Sequence, residues 1–214
     1  MDYVFGVSSR TPCCFVGGNA TQLSRPGPGE ICVALGVGDG GQILDLARAV
    51  GEEGAVYGVE MSKDVLRKTQ RHVEQLGVDN IDFIHDIFEE IELEDGIADL
   101  VVSDCSMAFA QDKARVWDEI ARLLKPGGRF FISDVFSETP VDDVSWGKVE
   151  SLRCLAELLS KDAYFAVLDK LGFSRLTILE ESAPHAGTYL GRPTLLTSFI
   201  VSGRKPRTTS NAFS

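Results

Sequence analysis

The sequence predicts an α/β fold: a doubly wound sheet of seven strands, helices on both faces, and a last strand running antiparallel. Three observations carry that expectation. Short apolar runs alternate with amphipathic segments of helical period between residues 31 and 136. A glycine-rich turn, "GVGDGG", follows directly on the first apolar run. After residue 173 the alternation fails and strand follows strand without a helix between them, the pattern of an antiparallel return.

Taken in order, the first 30 residues are rich in Gly, Pro, Ser and Thr and lack periodicity, so they read as an irregular arm that "RPGPGE" closes as a turn. "ICVALGV" (31–37) is a buried strand. "GQILDLARAV" (41–50) has apolar residues at helical spacing and stops at Gly51. "AVYGVEM" (55–61) is the second strand, and Ser62 is the expected N-cap of a helix over 63–76 that Gly77 ends. "IDFIHD" (81–86) and "ADLVVSDC" (98–105) are the third and fourth strands. "KARVWDEIARLL" (113–124) is an amphipathic helix stopped by "KPGG", and "RFFISDVF" (129–136) is the fifth strand. "KDAYFAVLDKLGF" (161–173) is the last helix. The strands "RLTILEE" (175–181) and "LTSFIVSGRK" (196–205) follow, joined by a loop through "ESAPHAGTYLG". The organisation expected is an arm over residues 1–29, one folded domain over 30–205 and a polar tail over 206–214.

Composition narrows the function. The chain has 214 residues, 44% hydrophobic and 25% charged, enough for one domain with a full core. A net charge of −11 repels phosphate backbones and anionic lipid, which argues against nucleic acid or a membrane surface as partner. No apolar run reaches membrane-spanning length, and "MDYVFGVSSR" lacks the pattern of a signal peptide, so a cytoplasmic location is expected. Five cysteines, an odd number, fit a reducing compartment rather than a disulfide framework. Cys32, inside an apolar run, reads as core; Cys13 and Cys14, behind Pro12, have no such explanation.

The glycine turn admits two spacings. Gly36, Gly38 and Gly41 spell the dinucleotide fingerprint, whereas Gly36, Gly38 and Gly40 suit a different adenosyl cofactor. Glu60 closes the second strand, where an acid accepts hydrogen bonds from ribose hydroxyls in either case. "LLKPGGRFFISD" separates the two. This helix, Lys-Pro-Gly-Gly turn and apolar strand resemble the corresponding element of class I S-adenosylmethionine-dependent methyltransferases, a Rossmann-like family. The resemblance implies that S-adenosyl-L-methionine is the cofactor and that Gly36, Gly38 and Gly40 hold its methionine and ribose part. It also implies that Glu60 takes the ribose, that Met61 packs beside the adenine, and that Asp86 contacts the adenine amine with Ile87 beside it. One departure stands out: the family usually has an acid two residues before the first glycine, and here that residue is Ala34, with Asp39 inside the turn as a substitute.

The acceptor is implied by the cysteines. "SDCSMAFAQDKARVWDEIARLLKPGG" resembles the stretch of arsenite methyltransferases in which a cysteine, here Cys105, ends the fourth strand. "DYVFGVSSRTPCC" resembles their N-terminal segment, with paired cysteines at Cys13 and Cys14. "WGKVESLRCLAELLSKDAYFAVLDKLGF" resembles their later segment, with Cys154 ahead of the last helix. A further cysteine of that family falls at Gly17 in "VGGNA". The resemblance implies that Cys14, Cys105 and Cys154, with Cys13 as alternate to Cys14, bind trivalent arsenic. Arsenite would arrive as a thiol complex, with a thiol reductant as partner. The chemistry is consistent. Thiolates are the protein's soft ligands, and three of them leave the arsenic lone pair as the nucleophile, so no general base is needed. Catalysis then comes from positioning. Two other classes remain open: methyl transfer to a small organic acceptor, for which Asp104 or Asp134 would be the base, and binding of cofactor or metalloid without turnover. His72 reads as a solvated helix residue and His85 as a strand-end hydrogen-bonding group, while His185 in the last loop has no assigned role. The oligomeric state is not encoded in any motif.

Overall fold

The computed structural model describes residues 19–138, 158–189 and 192–207. It opens with α1 (Ala20–Ser24), a short helix inside the segment that the sequence presents as irregular. β1 (Ile31–Leu35) lies at the centre of the sheet with four of its five residues buried, which is why its sequence is apolar without alternation. α2 (Gly41–Val50) runs between Gly40 and Gly51, both at positive φ. β2 (Ala55–Val59), α3 (Lys63–Gln75) and β3 (Ile81–Ile84) follow, and the Ser62 hydroxyl caps α3 by accepting the Val65 N–H at 3.4 Å. β4 (Ala98–Asp104) leads through a 3₁₀ turn (Ser106–Phe109) into α4 (Lys113–Leu123), which the Asp112 carboxylate caps on the Arg115 N–H at 3.0 Å. β5 (Leu124–Ser137), α5 (Lys161–Lys170), β6 (Ser174–Glu181), β7 (His185–Tyr189) and β8 (Arg192–Arg204) complete it.

The sheet order is β3-β2-β1-β4-β5-β8-β6, parallel from β3 to β5, with β8 antiparallel to both of its neighbours. This is the expected seven-strand path. The chain steps outward in one direction from β1 and in the other from β4, so the switch point lies between these two strands, where ligands bind in such sheets. Side chains alternate between faces. Cys32 and Ala34 pack with Ile43, Leu46 and Leu66 of α2 and α3. Val33 and Leu35 join the opposite core, where Trp117 of α4 stands edge-on to Phe130 at 4.9 Å and to Tyr164 of α5 at 5.8 Å. No helix among the described residues is long and apolar enough to cross a membrane.

Two elements depart from expectation. The Lys-Pro-Gly-Gly turn does not separate α4 from β5: the strand starts at Leu124, opposite Ala98. The corner is absorbed by Gly127 at φ 86° and by a register shift between Ala98 and Leu100. The expected loop through His185 is instead β7, a hairpin partner of β8 with Tyr189 opposite Arg192. Thr188 and Tyr189 at its end are residues that favour strands.

Candidate functional site

Register brings the site together. Leu35 is level with Val59 of β2 and with Ser103 of β4, so the residues just beyond these strands, Gly36, Glu60 and Asp104–Cys105, emerge side by side at the carboxyl edge of the sheet.

The turn after β1 resolves the two glycine spacings. Gly36, Gly38 and Gly40 all take positive φ, at 86°, 52° and 95°, whereas Gly41 is the first residue of α2. The G-x-G-x-G reading therefore matches the backbone. A Cβ on Gly36 would overlap the Ser106 hydroxyl, so the loop after β4 packs directly onto the turn. The buried Thr69 of α3 steadies the turn from the other side, its hydroxyl donating to the Gly38 carbonyl at 2.5 Å.

Glu60 is only 4% exposed. Its Oε2 accepts the Val37 N–H at 3.3 Å and its Oε1 accepts the Ser62 N–H at 2.8 Å, so one carboxylate joins the glycine turn to the start of α3. A carboxylate has about four lone-pair sites, which leaves this one able to accept two further donors such as a ribose diol. Met61 beside it is partly buried against the core. Asp86 follows β3, with Oδ2 accepting the Glu92 N–H at 2.9 Å. Ile87, 52% exposed, offers a bare apolar face next to it. Asp86, Ile87, Glu90, Ile91 and Glu92 line a cleft of about 410 Å³. Left-handed glycines, a half-used carboxylate and an apolar wall beside an acid together fit an adenosyl group carrying a ribose. Ala34 is a buried core residue, and the Asp39 carboxylate accepts the Gly41 N–H at 3.0 Å within the turn.

Directly after β4, Cys105 holds a left-handed backbone, φ 61°, rare for a residue with a side chain. Its N–H donates to the Ser133 carbonyl at 3.1 Å, and its Sγ lies 3.4 Å from the Ser133 hydroxyl. Cys13, Cys14 and Cys154 lie outside the described residues. Among the described residues no group of three His, Cys, Asp or Glu is arranged to hold a metal ion.

Asp104 is the last residue of β4, whereas Asp134, expected at a strand end, lies inside β5 because that strand runs on to Ser137 against β8; both acids are engaged. Asp104 accepts the Ala20 N–H at 2.8 Å, the Thr21 hydroxyl at 2.9 Å and the Thr21 N–H at 3.3 Å. Burial pushes its carboxyl above the ordinary value, and these hydrogen bonds only partly oppose it. Asp134 is fully buried and takes both Lys113 Nζ, at 2.9 and 2.8 Å, and the Val135 N–H at 2.8 Å. Burial, then the Asp134 charge, pushes the nearby Tyr164 phenol well above its usual range. Cys32 is a core residue, its thiol pushed up to about 12 chiefly by burial. His72 is exposed on α3, and His85 Nε2 lies 3.2 Å from the Met61 carbonyl. Thr69, Ser106 and Ser133 support the site without any sequence signal, because each acts through a partner at least 28 residues away.

A family model described as a methyltransferase domain matches residues 28–172. The chain is 33% identical over 162 residues to the arsenite methyltransferase of Halobacterium salinarum, covering 75% of this chain and 41% of that one. It is 31% identical over 117 residues to the demethylmenaquinone methyltransferase of Bacillus mycoides, covering 55% and 48%. The crystal structure of an arsenic(III) S-adenosylmethionine methyltransferase from Chlamydomonas reinhardtii superposes with a TM-score of 0.70 at 28% identity, over 85% of this chain and 65% of that one. The chain thus spans less than half the length of these two curated relatives.

Proposed function

Because the chain belongs to the methyltransferase-domain family, of the class I type that uses S-adenosylmethionine, we propose that it methylates trivalent arsenic held by cysteine thiolates. The observation that carries this reading is Cys105. It ends β4 in a left-handed conformation, and the next residue packs on the first glycine of the cofactor turn. A soft ligand beside the cofactor turn suits a thiophilic acceptor.

Chain paths support the other ligands. α1 starts at Asp104 and its last carbonyls accept from Arg129 Nη2 at the opposite edge, so the chain enters the described fold beside Cys105. Cys14 is six residues before Ala20, a reach of roughly 20 Å at most. Residues 158–160 return against the end of β5, where the Ser137 N–H donates to the Leu159 carbonyl at 2.8 Å. Cys154 is four residues before Leu158, a reach of roughly 14 Å at most. Both segments therefore join the fold at the edge that carries Cys105.

When bound, the cofactor supplies an electrophilic methyl group. The glycine turn and Glu60 hold it, Asp86 and Ile87 flank its adenine end, and Cys14, Cys105 and Cys154 fix the arsenic acceptor, with Cys13 as alternate to Cys14. An arsenic lone pair needs no deprotonation. That suits a chain whose carboxylates at Asp104 and Asp134 are occupied by Thr21, Ala20 and Lys113. An organic acceptor is the second reading, favoured by the similarity to the demethylmenaquinone enzyme.

The test incubates the purified protein with S-adenosylmethionine, arsenite and a thiol reductant, and reads methylated arsenic and S-adenosylhomocysteine by mass spectrometry. Both products are expected, and both should disappear in Cys105→Ser. Cofactor binding without methylated arsenic, or full turnover by Cys105→Ser, would overturn the acceptor and favour an organic one.

A further inference from the structure

Thr69 sits in the middle of α3, where an alanine or leucine would favour the helix more. A hydroxyl has one proton to donate, and a threonine inside a helix commonly spends it on a carbonyl of the preceding turn. Thr69 spends it on the Gly38 carbonyl at 2.5 Å, 31 residues away. The residue is 2% exposed, and its Cγ2 lies 3.0 Å from where a Cβ on Gly40 would stand. One side chain of α3 thus touches two of the three left-handed glycines of the turn.

Most backbone donors of that turn are already engaged. The Gly36 N–H goes to the Val59 carbonyl at 2.8 Å and the Gly40 N–H to the Val37 carbonyl at 2.9 Å. The Val37 N–H goes to Glu60 and the Gly41 N–H to the Asp39 carboxylate. Among the described residues, the N–H groups of Gly38 and Asp39 meet no acceptor. The Asp39 N–H belongs to the same peptide unit as the Gly38 carbonyl. That unit is trans, so its C=O and N–H point opposite ways. A carbonyl held on α3 by Thr69 therefore turns the Asp39 N–H away from the helix.

We propose that Thr69 is a positioning residue for the cofactor: it fixes the Gly38–Asp39 peptide so that the Asp39 N–H is presented to the carboxylate of S-adenosylmethionine. The inference rests on the assignment of the glycine turn to that cofactor. The carboxylate is the cofactor's one anionic group, and a hydrogen bond with a charged partner is stronger than one between neutral groups. A donor oriented before binding also spares the cost of ordering it on binding. Without the Thr69 hydroxyl the Gly38 carbonyl loses its partner, and nothing on α3 holds the plane of that peptide.

The test titrates the full-length protein calorimetrically with two ligands: S-adenosylhomocysteine, which keeps the carboxylate, and its decarboxylated analogue, which lacks only that group. Thr69→Val keeps the shape and the methyl beside Gly40 but removes the hydroxyl; Thr69→Ser keeps the hydroxyl. In Thr69→Val, Kd for S-adenosylhomocysteine should rise about tenfold, the scale of a hydrogen bond to a charged group. Kd for the decarboxylated analogue should stay nearly unchanged, which also shows that the variant is folded. Thr69→Ser should bind both ligands as the unmodified protein does. An unchanged affinity of Thr69→Val for S-adenosylhomocysteine, an equal loss for both ligands, or a serine variant as weak as the valine one would each overturn the proposal. An unmodified protein that binds the two ligands equally well would overturn the carboxylate contact and leave the cofactor in place. One that binds neither would overturn the cofactor assignment of the turn and the role of Thr69 together.

Discussion

Lys113 and Asp134 form an ion pair with both side chains fully buried, Nζ lying 2.8 Å from Oδ2 and 2.9 Å from Oδ1. The pair ties the first residue of α4 to β5 beneath the loop that carries Cys105. Two buried charges gain little over apolar residues of the same size, but breaking the pair leaves one charge stranded. Lys113→Met should therefore destabilise the protein by about 3–5 kcal/mol, while the double variant Lys113→Met with Asp134→Leu recovers most of that loss. Urea denaturation of the three proteins measures it. A double variant no more stable than the single one would mean that packing around Lys113, rather than charge, sets the cost.

Gly36 meets two constraints at once, a φ of 86° and the Ser106 hydroxyl where a Cβ would go. Gly51 has the first kind only, with φ 68° and open space around it. Gly51→Ala should cost about 1–3 kcal/mol, because φ 68° with ψ −170° is a backbone region open essentially to glycine alone. Gly36→Ala should cost more and also abolish the thermal shift produced by S-adenosylmethionine. Equal losses of stability with cofactor binding retained would remove the close approach as an explanation for the glycine.

Stability should depend on pH through Glu30 and Arg129. The Arg129 guanidinium donates to both Glu30 oxygens, at 2.7 and 2.8 Å, and holds the carboxyl below its ordinary value against the opposing effect of burial. A depressed folded value means that the stabilisation is complete above the unfolded value, about 4.3, and is lost as pH falls through the lower folded value. The stability gap between the unmodified protein and Arg129→Met should be widest near neutrality and shrink below about pH 4. A gap that stays constant down to acid pH would assign the effect to the Arg129 bonds with Ser24 and Arg25.

The two described cysteines should react differently. Cys32 is buried, its thiol pushed up to about 12, whereas Cys105 is half-buried. N-Ethylmaleimide at neutral pH should label Cys105 in the native protein and Cys32 only after denaturation, as read by peptide mass spectrometry. Labelling of native Cys32 would indicate opening of the β1 core.

Where structure follows from neighbours in sequence, it was legible. Ser62 caps α3 on Val65, Gly40 and Gly51 bound α2, and Glu60 follows β2 and accepts the Ser62 N–H, all within a few residues. The elements that went unread depend on distant partners. β5 starts at Leu124 because Ala98 is there to pair with it, and α1 is helical because Asp104 caps it from β4. β7 exists through its pairing with β8. The proposed cofactor contacts come from a single turn and the residues that follow β2 and β3, which are local features of the sequence. The proposed acceptor ligands come from separate stretches of chain, and the resemblance that nominates Cys13, Cys14, Cys105 and Cys154 carries no distances.

The two-point attachment of α1, Asp104 at its head and Arg129 at its foot, makes that helix a coupling joint. Whatever lies upstream is connected to the fold through a fixture whose geometry belongs to β4 and β5. The bonds of that joint involve neither the glycine turn nor Glu60, so a load on α1 passes to β4 and β5 and bypasses the contacts that shape the turn.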